Sequence, residues 1–595
     1  MSKQTTLEIR RVIEYRQFFA GEAPIDISTV LKSYSRNILV RMAAVLSLHY
    51  GNMCWPDPKS TLFSESSKKH IPYLNQLFKA YYKREGLTPG QKVEVLTYRT
   101  SLELWRQIFA IHVDEFINDI KEEDIELNLF KVVLSINEKI VGFSDRKEDY
   151  KLDELMFLNC FLTNDNNNYD LKYTLQPQLY YFHQLINYIT TNEVLTKATN
   201  VLFEDWGITS WQQYYTTLFI IASETDGYIK RKDNGVPIIS PNWIEQNSEF
   251  ISLSLLEHLY IDEEEYIAYN EEDVTPKELN VDYRKFRSKP LVKLKDGTGY
   301  VVINNQLICE RLYNSLYFDF VPLINKLKKD CKPFDYNKDF VEKVLFRNTI
   351  FNCIPSNCYT FPQRGGGAGA ERSHEPDYYA RNNRGELIIV ECKAIKMNGE
   401  CRDNGDYARL LDELHEKIVL KTKNLDKTRK EYKGVPEPIG VGQLAHHIDA
   451  IDADTFEWDT EIPDDVAYYP LLVFEDVKLV QKGILSMVNR WFYEELSEKK
   501  ELELSDAVKP IMVVSINTLY LYDNLLRRRG INVIDAFIRE NAQYNPDTGQ
   551  YIISPMADFD EYLCKNSFNK RGDMMKWHKM LMDGFEETDI ISSWA

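Results

Sequence analysis

Three residues near position 390 carry side chains that could perform hydrolysis with a metal ion. Asp377 precedes a short polar turn, and Glu391 and Lys393 stand at the end of the apolar run 387–390. Carboxylate oxygens are the ligands that hard divalent cations such as Mg2+ prefer, and a lysine beside the ion can stabilise developing negative charge. The residue types predict a site of metal-assisted hydrolysis.

The elements that must position these residues are two strands joined by the turn 381–385. The second strand is apolar and β-branched until it reaches Glu391. Side chains alternate along a strand, so Glu391 and Lys393 point to the same face, about 6.5 Å apart, and Cys392 points to the opposite, buried face. Asp377, next to the first strand, can reach the charged face.

The context of the Glu-x-Lys tripeptide matters more than the tripeptide itself. It recurs at 431–433 and 498–500, in both cases within polar, helix-like sequence and without a preceding apolar strand. A plain alternative for Glu391 and Lys393 is an ion pair on the surface of an edge strand. The apolar run before them argues against that alternative.

The arrangement of Asp377, Glu391, Cys392 and Lys393 resembles the PD-(D/E)XK nuclease superfamily over roughly residues 335–545. The resemblance implies a restriction-endonuclease-like fold and a bound Mg2+, for which Mn2+ can substitute. It makes Asp377 and Glu391 metal ligands, with the backbone carbonyl of Cys392 as a further ligand. Lys393 would position and activate the attacking water.

Two flanking helices add candidates to this set. Glu342, in the amphipathic segment 339–346, matches a glutamate that many family members aim at the metal, although an ordinary solvated glutamate is the alternative. Gln443 resembles the glutamine on the helix after the catalytic strand, where it would assist catalysis. In the exonuclease branches of the superfamily, a tyrosine follows this glutamine by four positions, and this chain has His447 at that position. His446 and His447 point about 100° apart, so one of them at most faces the site, and His447 is a candidate phosphate contact.

Two basic segments are candidate nucleic-acid contacts. The glycine-rich loop 363–374 lacks the Gly-Lys-Ser/Thr of a phosphate loop, so Arg364 and Arg372 are expected at the rim of the site. A basic stripe spans 417–433 and supplies Lys421, Lys423 and Lys427. The alternatives are a plain connector for the loop and a solvated helix face for the stripe.

Charge and cysteine usage set the cellular expectation. The net charge of −19 disfavours diffuse binding to nucleic acid and favours a focused site. None of the nine cysteines has a Cys-x-x-Cys spacing, which is typical of a reducing compartment. Neither a signal-peptide core nor a membrane span is evident, so we expect a cytoplasmic protein without a membrane partner.

The length of 595 residues implies several domains. We expect a multidomain α+β or α/β protein with a mainly helical region at 1–270, which would sense or regulate. A hairpin and helix at 271–334 would connect it to a nuclease domain at 335–545 with a mixed sheet flanked by helices. Residues 546–595 form an extension that is helical at best.

These expectations describe a nuclease that hydrolyses phosphodiester bonds in restriction or defence against phage. DNA, rather than RNA, is the expected substrate. A homodimer or a protein partner would use the N-terminal region. One alternative is a catalytically inactive scaffold that keeps the fold and binds nucleic acid or protein. Another is a helical interaction protein with an incidental strand pair, which requires Asp377 to lie far from Glu391.

Overall fold

The computed structural model describes residues 11–49, 54–55, 65–88, 91, 93–111, 115–116, 124–141, 150–163, 171–231, 235–261, 283–327, 333–354, 361–362, 375–397, 407–422, 436–498, 504–566 and 578–584. Helices dominate, and short sheets, most of them mixed or antiparallel, lie among them. The predicted mixture of helix and sheet is confirmed. No helix in these ranges combines the length and the apolar composition needed to cross a lipid bilayer.

The N-terminal region is mainly helical, as predicted. Its helices are Tyr15–Phe18, Ile27–Lys32, Arg36–His49, Ile71–Arg84, Tyr98–Phe109, Ile125–Val141, Leu152–Thr163, Leu171–Ile189, Glu193–Trp206, Trp211–Arg231, Pro241–Gln246 and Leu253–Leu259. A small sheet in the order β1-β3-β2 is formed by β1 (Arg11–Val12), β2 (Cys54–Trp55) and β3 (Val93–Glu94).

A second sheet has the strand order β4-β7-β6-β5. Its strands are β4 (Ile238–Ile239), β5 (Tyr260–Ile261), β6 (Leu291–Lys293) and β7 (Tyr300–Val302), preceded at β6 by the helix Arg284–Ser288. The predicted hairpin is therefore present. The helix expected after this hairpin, within 271–334, is instead two helices, Asn305–Arg311 and Leu316–Leu327. Between them, the backbone N–H of Asn314 leaves the helical pattern and donates to the side chain of Gln178.

The sheet that carries the site has five strands in the order β14-β13-β10-β9-β8. The strands are β8 (Phe361–Pro362), β9 (Tyr378–Arg381), β10 (Glu386–Lys393), β13 (Ala467–Phe474) and β14 (Met512–Ser515). β9 and β10 form the predicted antiparallel hairpin, whereas β10, β13 and β14 run parallel. Two separate hairpins pair β11 (Leu420–Thr422) with β12 (Pro436–Pro438), and β15 (Ala542–Asn545) with β16 (Gln550–Ile553). β16 shows that the expectation of helix only after residue 546 is wrong.

Helices cover this sheet. A π-type helix, Tyr336–Phe346, continues directly into the α-helix Arg347–Cys353, and we call the two together the glutamate helix. The helix Val441–Asp452, here the histidine helix, packs against β10 and β13. The remaining helices are Tyr407–Ile418, Ile484–Ser497, Ile516–Leu521, Asp523–Arg529, Ile531–Asn541 and Phe559–Asn566.

The buried apolar side chains fall into two clusters. The first joins residues from 13 to 140 with β5, β6, β7 and nearby side chains up to Leu307. The second runs from Phe157 to Leu581 and includes the helices between 157 and 259 together with β9, β10, β13 and β14. Helices on both sides of residue 270 therefore share one core with these four strands.

Close packing at Gly483 ties helix Leu152–Thr163 to helix Ile484–Ser497. Gly483 has φ +91°, and a Cβ there would lie 2.2 Å from the carbonyl oxygen of Asp153 and 2.6 Å from the amide nitrogen of Phe157. Arg490 Nη2 lies 2.8 Å from Glu154 Oε1 and 3.4 Å from Asp153 Oδ2 at the same contact. A glycine is required where the two backbones approach this closely.

We expect Gly483→Ala to lower the free energy of unfolding by about 2–5 kcal/mol, since both backbone strain and overpacking act there. The measurement is urea unfolding followed by circular dichroism. Gly21→Ala is the matched control, because Gly21 has φ +92° with open space around it, so only the strain of about 1–3 kcal/mol applies. Equal losses in the two variants would contradict the packing role of Gly483.

Candidate functional site

Asp377, Glu391 and Lys393 meet at the carboxyl end of β10. The antiparallel register pairs Tyr378 with Val390, so Asp377 stands opposite Glu391 one step further along the hairpin. The ammonium nitrogen of Lys393 lies 2.9 Å from Glu391 Oε2 and 3.9 Å from Asp377 Oδ2. The two carboxylates contact one ammonium, which contradicts the alternative with an incidental strand pair. Cys392 is fully buried on the opposite face, as the alternation predicts.

Glu391 has partners on both carboxylate oxygens. Lys393 donates to Oε2, and His447 Nε2 lies 3.1 Å from Oε1. The Glu391 side chain is only 1% exposed and the His447 side chain 2%. The His447 ring is directed at Glu391 and orients that carboxylate. The phosphate contact predicted for His447 stays a prediction.

Asp377 is the carboxylate of the site that faces outward. Its side chain is 29% exposed, against 11% for Lys393. Asp377 Oδ2 accepts a hydrogen bond of 2.7 Å from the backbone N–H of Cys392, which fixes the carboxylate beside β10. The backbone N–H of Cys392 is thereby used to hold Asp377.

Glu342, on the glutamate helix, lies within electrostatic range of Lys393 and Glu391, and its role as a metal ligand stays a prediction. That helix begins at Asp335, whose side chain accepts from the N–H groups of Asn337 and Lys338. Glu342 is half-buried and interacts electrostatically with Lys393, with Glu391 and with the backbone of Ala394. Two carboxylates therefore lie within 4 Å of the lysine ammonium, and Glu342 lies within electrostatic range of it.

The pKa shifts of these groups reflect burial first and the neighbouring charges second. Burial and then repulsion from Glu391 raise the pKa of Asp377 well above its ordinary value. Burial raises the pKa of Glu342 too. Burial also works against the ionised form of Glu391, but Lys393 and His447 outweigh it and leave the pKa of Glu391 below its usual value. Burial lowers the pKa of Lys393, yet the carboxylates reverse that effect and raise it, so the lysine is a cation.

Gln443 does not contact the cluster directly. Its side-chain oxygen accepts the backbone N–H of Gly440 at 2.8 Å and caps the start of the histidine helix. Gly440 has φ +52°, and a Cβ there would lie 2.8 Å from the Ile418 carbonyl oxygen and 3.5 Å from Lys393 Cε. Gln443 thus fixes Gly440, which lies beside the stem of Lys393. The assisting role of Gln443 stays a prediction, and Gly440 is the residue that links Gln443 to Lys393.

The remaining residues are the candidate nucleic-acid contacts Arg364, Arg372, Lys421, Lys423 and Lys427. Lys421 is an exposed residue of β11. Arg364, Arg372, Lys423 and Lys427 lie outside the residues that the structure describes.

The donor set suits a hard divalent cation of the Mg2+ type. Within the described ranges, no three His, Cys, Asp or Glu side chains are arranged as a ready-made metal centre. Mg2+ commonly takes only one or two carboxylates and completes its shell with water and substrate phosphate. Asp377 and Glu391 supply those carboxylates, and a bound cation would favour the ionised form of Asp377, whose pKa burial and then Glu391 raise.

Asp459 is a buried carboxylate that the sequence patterns do not indicate, and it binds two side chains of the β9–β10 hairpin. Its carboxylate accepts from the Tyr379 hydroxyl at 2.8 Å and from Arg381 Nε at 2.6 Å. The side chain is 1% exposed. Tyr379 and Arg381 belong to β9, so Asp459 fixes the strand that follows Asp377.

No family model, curated protein or solved structure matches this chain. The class of chemistry is therefore inferred from the geometry of the site alone. Two carboxylates that converge on a buried ammonium at a strand end can bind a cation and a phosphate together.

We expect Asp459→Asn to lower the free energy of unfolding by about 3 kcal/mol at neutral pH, since Arg381 would lose its buried counter-charge. Burial opposes ionisation of Asp459, but hydrogen bonds from Arg381 and Tyr379 prevail and lower its pKa. A pKa lowered by folding stabilises the protein above the unfolded value of about 3.9, and this stabilisation is lost as the pH falls through the folded value. The difference between wild type and variant should shrink below about pH 4.

Urea unfolding over a pH series measures this effect. Asp464→Asn is the control, because Asp464 is exposed on the same segment. A difference between wild type and Asp459→Asn that does not change with pH would contradict the ion pair.

We expect His447→Ala to lower the free energy of unfolding by about 1–3 kcal/mol, because one oxygen of buried Glu391 loses its partner. His446→Ala changes the adjacent, half-buried histidine of the same helix and should have a smaller effect. Thermal and urea unfolding of both variants decide the question. If the two variants lose the same stability, His447 does not hold Glu391.

Proposed function

We propose that the chain is a metal-dependent nuclease that hydrolyses phosphodiester bonds, with DNA as the substrate. The observation that carries the proposal is the convergence of Asp377 and Glu391 on the Lys393 ammonium at the carboxyl end of β10. Phosphodiester hydrolysis requires a metal ion for the phosphoryl oxygen and a cation for the developing charge. The preference for DNA comes from the resemblance to the PD-(D/E)XK superfamily.

The topology supports a restriction-endonuclease-like fold. A helix that bears Glu342 precedes an antiparallel hairpin, and two parallel strands follow, each reached through a helix. The site residues lie on the hairpin and on the two helices next to it. This order is the one that the resemblance implies.

Asp377 and Glu391 would hold Mg2+ or Mn2+, with the Cys392 carbonyl and Glu342 as further ligands. When bound, the ion polarises the phosphoryl oxygen and lowers the pKa of a water molecule. Lys393 enters the reaction as a cation, because its raised pKa keeps the proton on the ammonium. It is therefore suited to neutralise the charge that develops on the phosphate and to orient water through its N–H groups.

The N-terminal region belongs to the proposal as a regulatory or recruiting part. Its helix Leu152–Thr163 contacts the nuclease-like part through Arg490, with Asp153 and Glu154 as counter-charges. The proposed location is the cytoplasm, where the free thiols of the described cysteines would stay reduced. The proposed role is in restriction or in defence against phage.

We expect Lys393→Ala and Asp377→Asn each to lower Mg2+-dependent cleavage by about 100-fold or more, since each removes a charge that acts on the scissile phosphate. The measurement is degradation of plasmid, linear duplex and single-stranded DNA, and of RNA. Circular dichroism shows whether each variant is folded. Asp464→Asn, an exposed carboxylate on another segment, should leave cleavage unchanged.

Cleavage that survives in folded Lys393→Ala would overturn the assignment. Metal affinity that is the same in wild type and Asp377→Asn, measured by calorimetry, would overturn the ligand role. A wild type that binds nucleic acid but never cleaves it would favour the inactive scaffold, an alternative that the lack of a ready-made three-ligand group among the described residues also favours.

A further inference from the structure

Three consecutive arginines form an exposed turn that the proposed chemistry does not use. Arg527, Arg528 and Arg529 end the helix Asp523–Arg529, and all three side chains are exposed. Across the described ranges, none of them forms an ion pair with a carboxylate. In a protein of net charge −19, three adjacent cations without carboxylate partners require an explanation.

Helix capping explains only part of this arginine turn. Cations near a helix C-terminus gain about 0.3–1 kcal/mol from the helix dipole. Successive side chains on a helix are 100° apart, so the three guanidinium groups cannot all face the terminal carbonyl groups. Gly530 then ends the helix with φ +49°, and its N–H donates to the Leu526 carbonyl oxygen at 2.7 Å, so a terminal carbonyl already has a backbone partner.

The arginine turn is attached to the helix that carries Glu342. Arg527 Nε donates to the carbonyl oxygen of Asn352, in the last turn of the glutamate helix, at 2.8 Å. Ten residues of helix separate Asn352 from Glu342, about 15 Å at 1.5 Å per residue. Four or five nucleotides span about the same length at 3.4 Å per nucleotide. The arginine turn is therefore attached to the same helix as Glu342, at a separation along that helix that a few nucleotides would span.

Further cations continue this surface on both sides. On the glutamate helix, the Arg347 guanidinium lies 5.6 Å from the Phe351 ring centre, and Phe351 packs edge-on against Tyr378, the residue after Asp377. On the other side, Arg529 and Arg539 both act electrostatically on Tyr562, near which Glu540 supplies an opposing charge. We call Arg347, Arg527, Arg528, Arg529 and Arg539 the arginine surface.

We propose that the arginine surface binds the phosphate backbone of the nucleic acid that occupies the site. Guanidinium groups suit phosphate because they present several donors in a planar fork and stay charged. Backbone contacts of this kind fix the position of a substrate without reading its sequence. The inference rests on the proposed function, since it names the surface along which that substrate lies.

The test is the salt dependence of binding to a labelled DNA duplex in EDTA, so that cleavage does not enter. Each phosphate contact contributes about −0.9 to the slope of log affinity against log salt. The variant Arg527→Gln, Arg528→Gln, Arg529→Gln should bind about tenfold or more weakly at about 50 mM salt and flatten the slope by about 2–3. The charge-preserving variant with lysine at all three positions should keep most of the slope.

The matched control removes three exposed cations from the last turns of another helix. Lys79, Lys83 and Arg84 are exposed near the end of helix Ile71–Arg84. The buried side chains of this helix belong to the first core cluster. Replacement of Lys79, Lys83 and Arg84 by Gln changes the net charge by the same amount and should leave the slope within about 0.5 of the wild-type value. Equal losses in both triple variants, or no loss in the arginine variant, would overturn the inference.

Failure of this inference is distinguishable from failure of the proposed function. Lys393→Ala removes one phosphate contact at most and leaves the arginine surface intact, so it should flatten the slope in EDTA by no more than about 0.9, against about 2–3 for the arginine variant. Cleavage that depends on Lys393, together with an unchanged slope in the arginine variant, would reject the surface and keep the nuclease. Stronger binding of the full-length protein to anionic lipid vesicles than to DNA, if it is lost in the arginine variant, would also reject nucleic acid as the partner of the arginine surface.

Discussion

The buried ammonium of Lys393 is the interaction on which the site depends. A lysine at 11% exposure loses most of its hydration, and removing an ion from water costs several kcal/mol unless a counter-charge lies nearby. Glu391 provides that charge at 2.9 Å and Asp377 adds to it at 3.9 Å. His447 satisfies the second oxygen of Glu391, and Gly440 leaves room for the lysine stem. The hairpin, the histidine helix and the loop before that helix are all needed to keep one charge buried.

The same cluster contains more negative than positive charge. Asp377 and Glu391 lie within 4 Å of the one lysine ammonium and Glu342 lies within electrostatic range of it, and burial and then like charge raise the pKa of Asp377. A purely structural ion pair would reach balance with one carboxylate, as Arg381 and Asp459 do nearby. An outward-facing carboxylate that is hard to ionise gains most from an added cation. The charge imbalance therefore links the stability of the site to its proposed chemistry.

The local elements of the site could be predicted from the sequence because their signals are local. Alternation along 386–393 placed Glu391 and Lys393 on one face, and the polar turn placed Asp377 opposite them. The depth of His447 could not be predicted, because adjacent histidines on a helix give no sign of which one meets a carboxylate 56 residues earlier. Gln443 resembled a catalytic residue, but a backbone N–H three residues away competes for its side chain. Asp459 and the arginine turn were missed, since their partners are distant in sequence and neither belongs to a periodic pattern.

One helix connects the N-terminal core to the packing around Lys393. At its start, the Tyr407 hydroxyl donates to the carbonyl oxygen of Ile140, in a helix of the first core cluster, at 3.2 Å. At its end, the Ile418 carbonyl oxygen packs on Gly440, which in turn packs on the lysine stem. Helix Tyr407–Ile418 spans about 17 Å and is rigid on that scale. This helix therefore joins the first core cluster to the packing around the lysine stem.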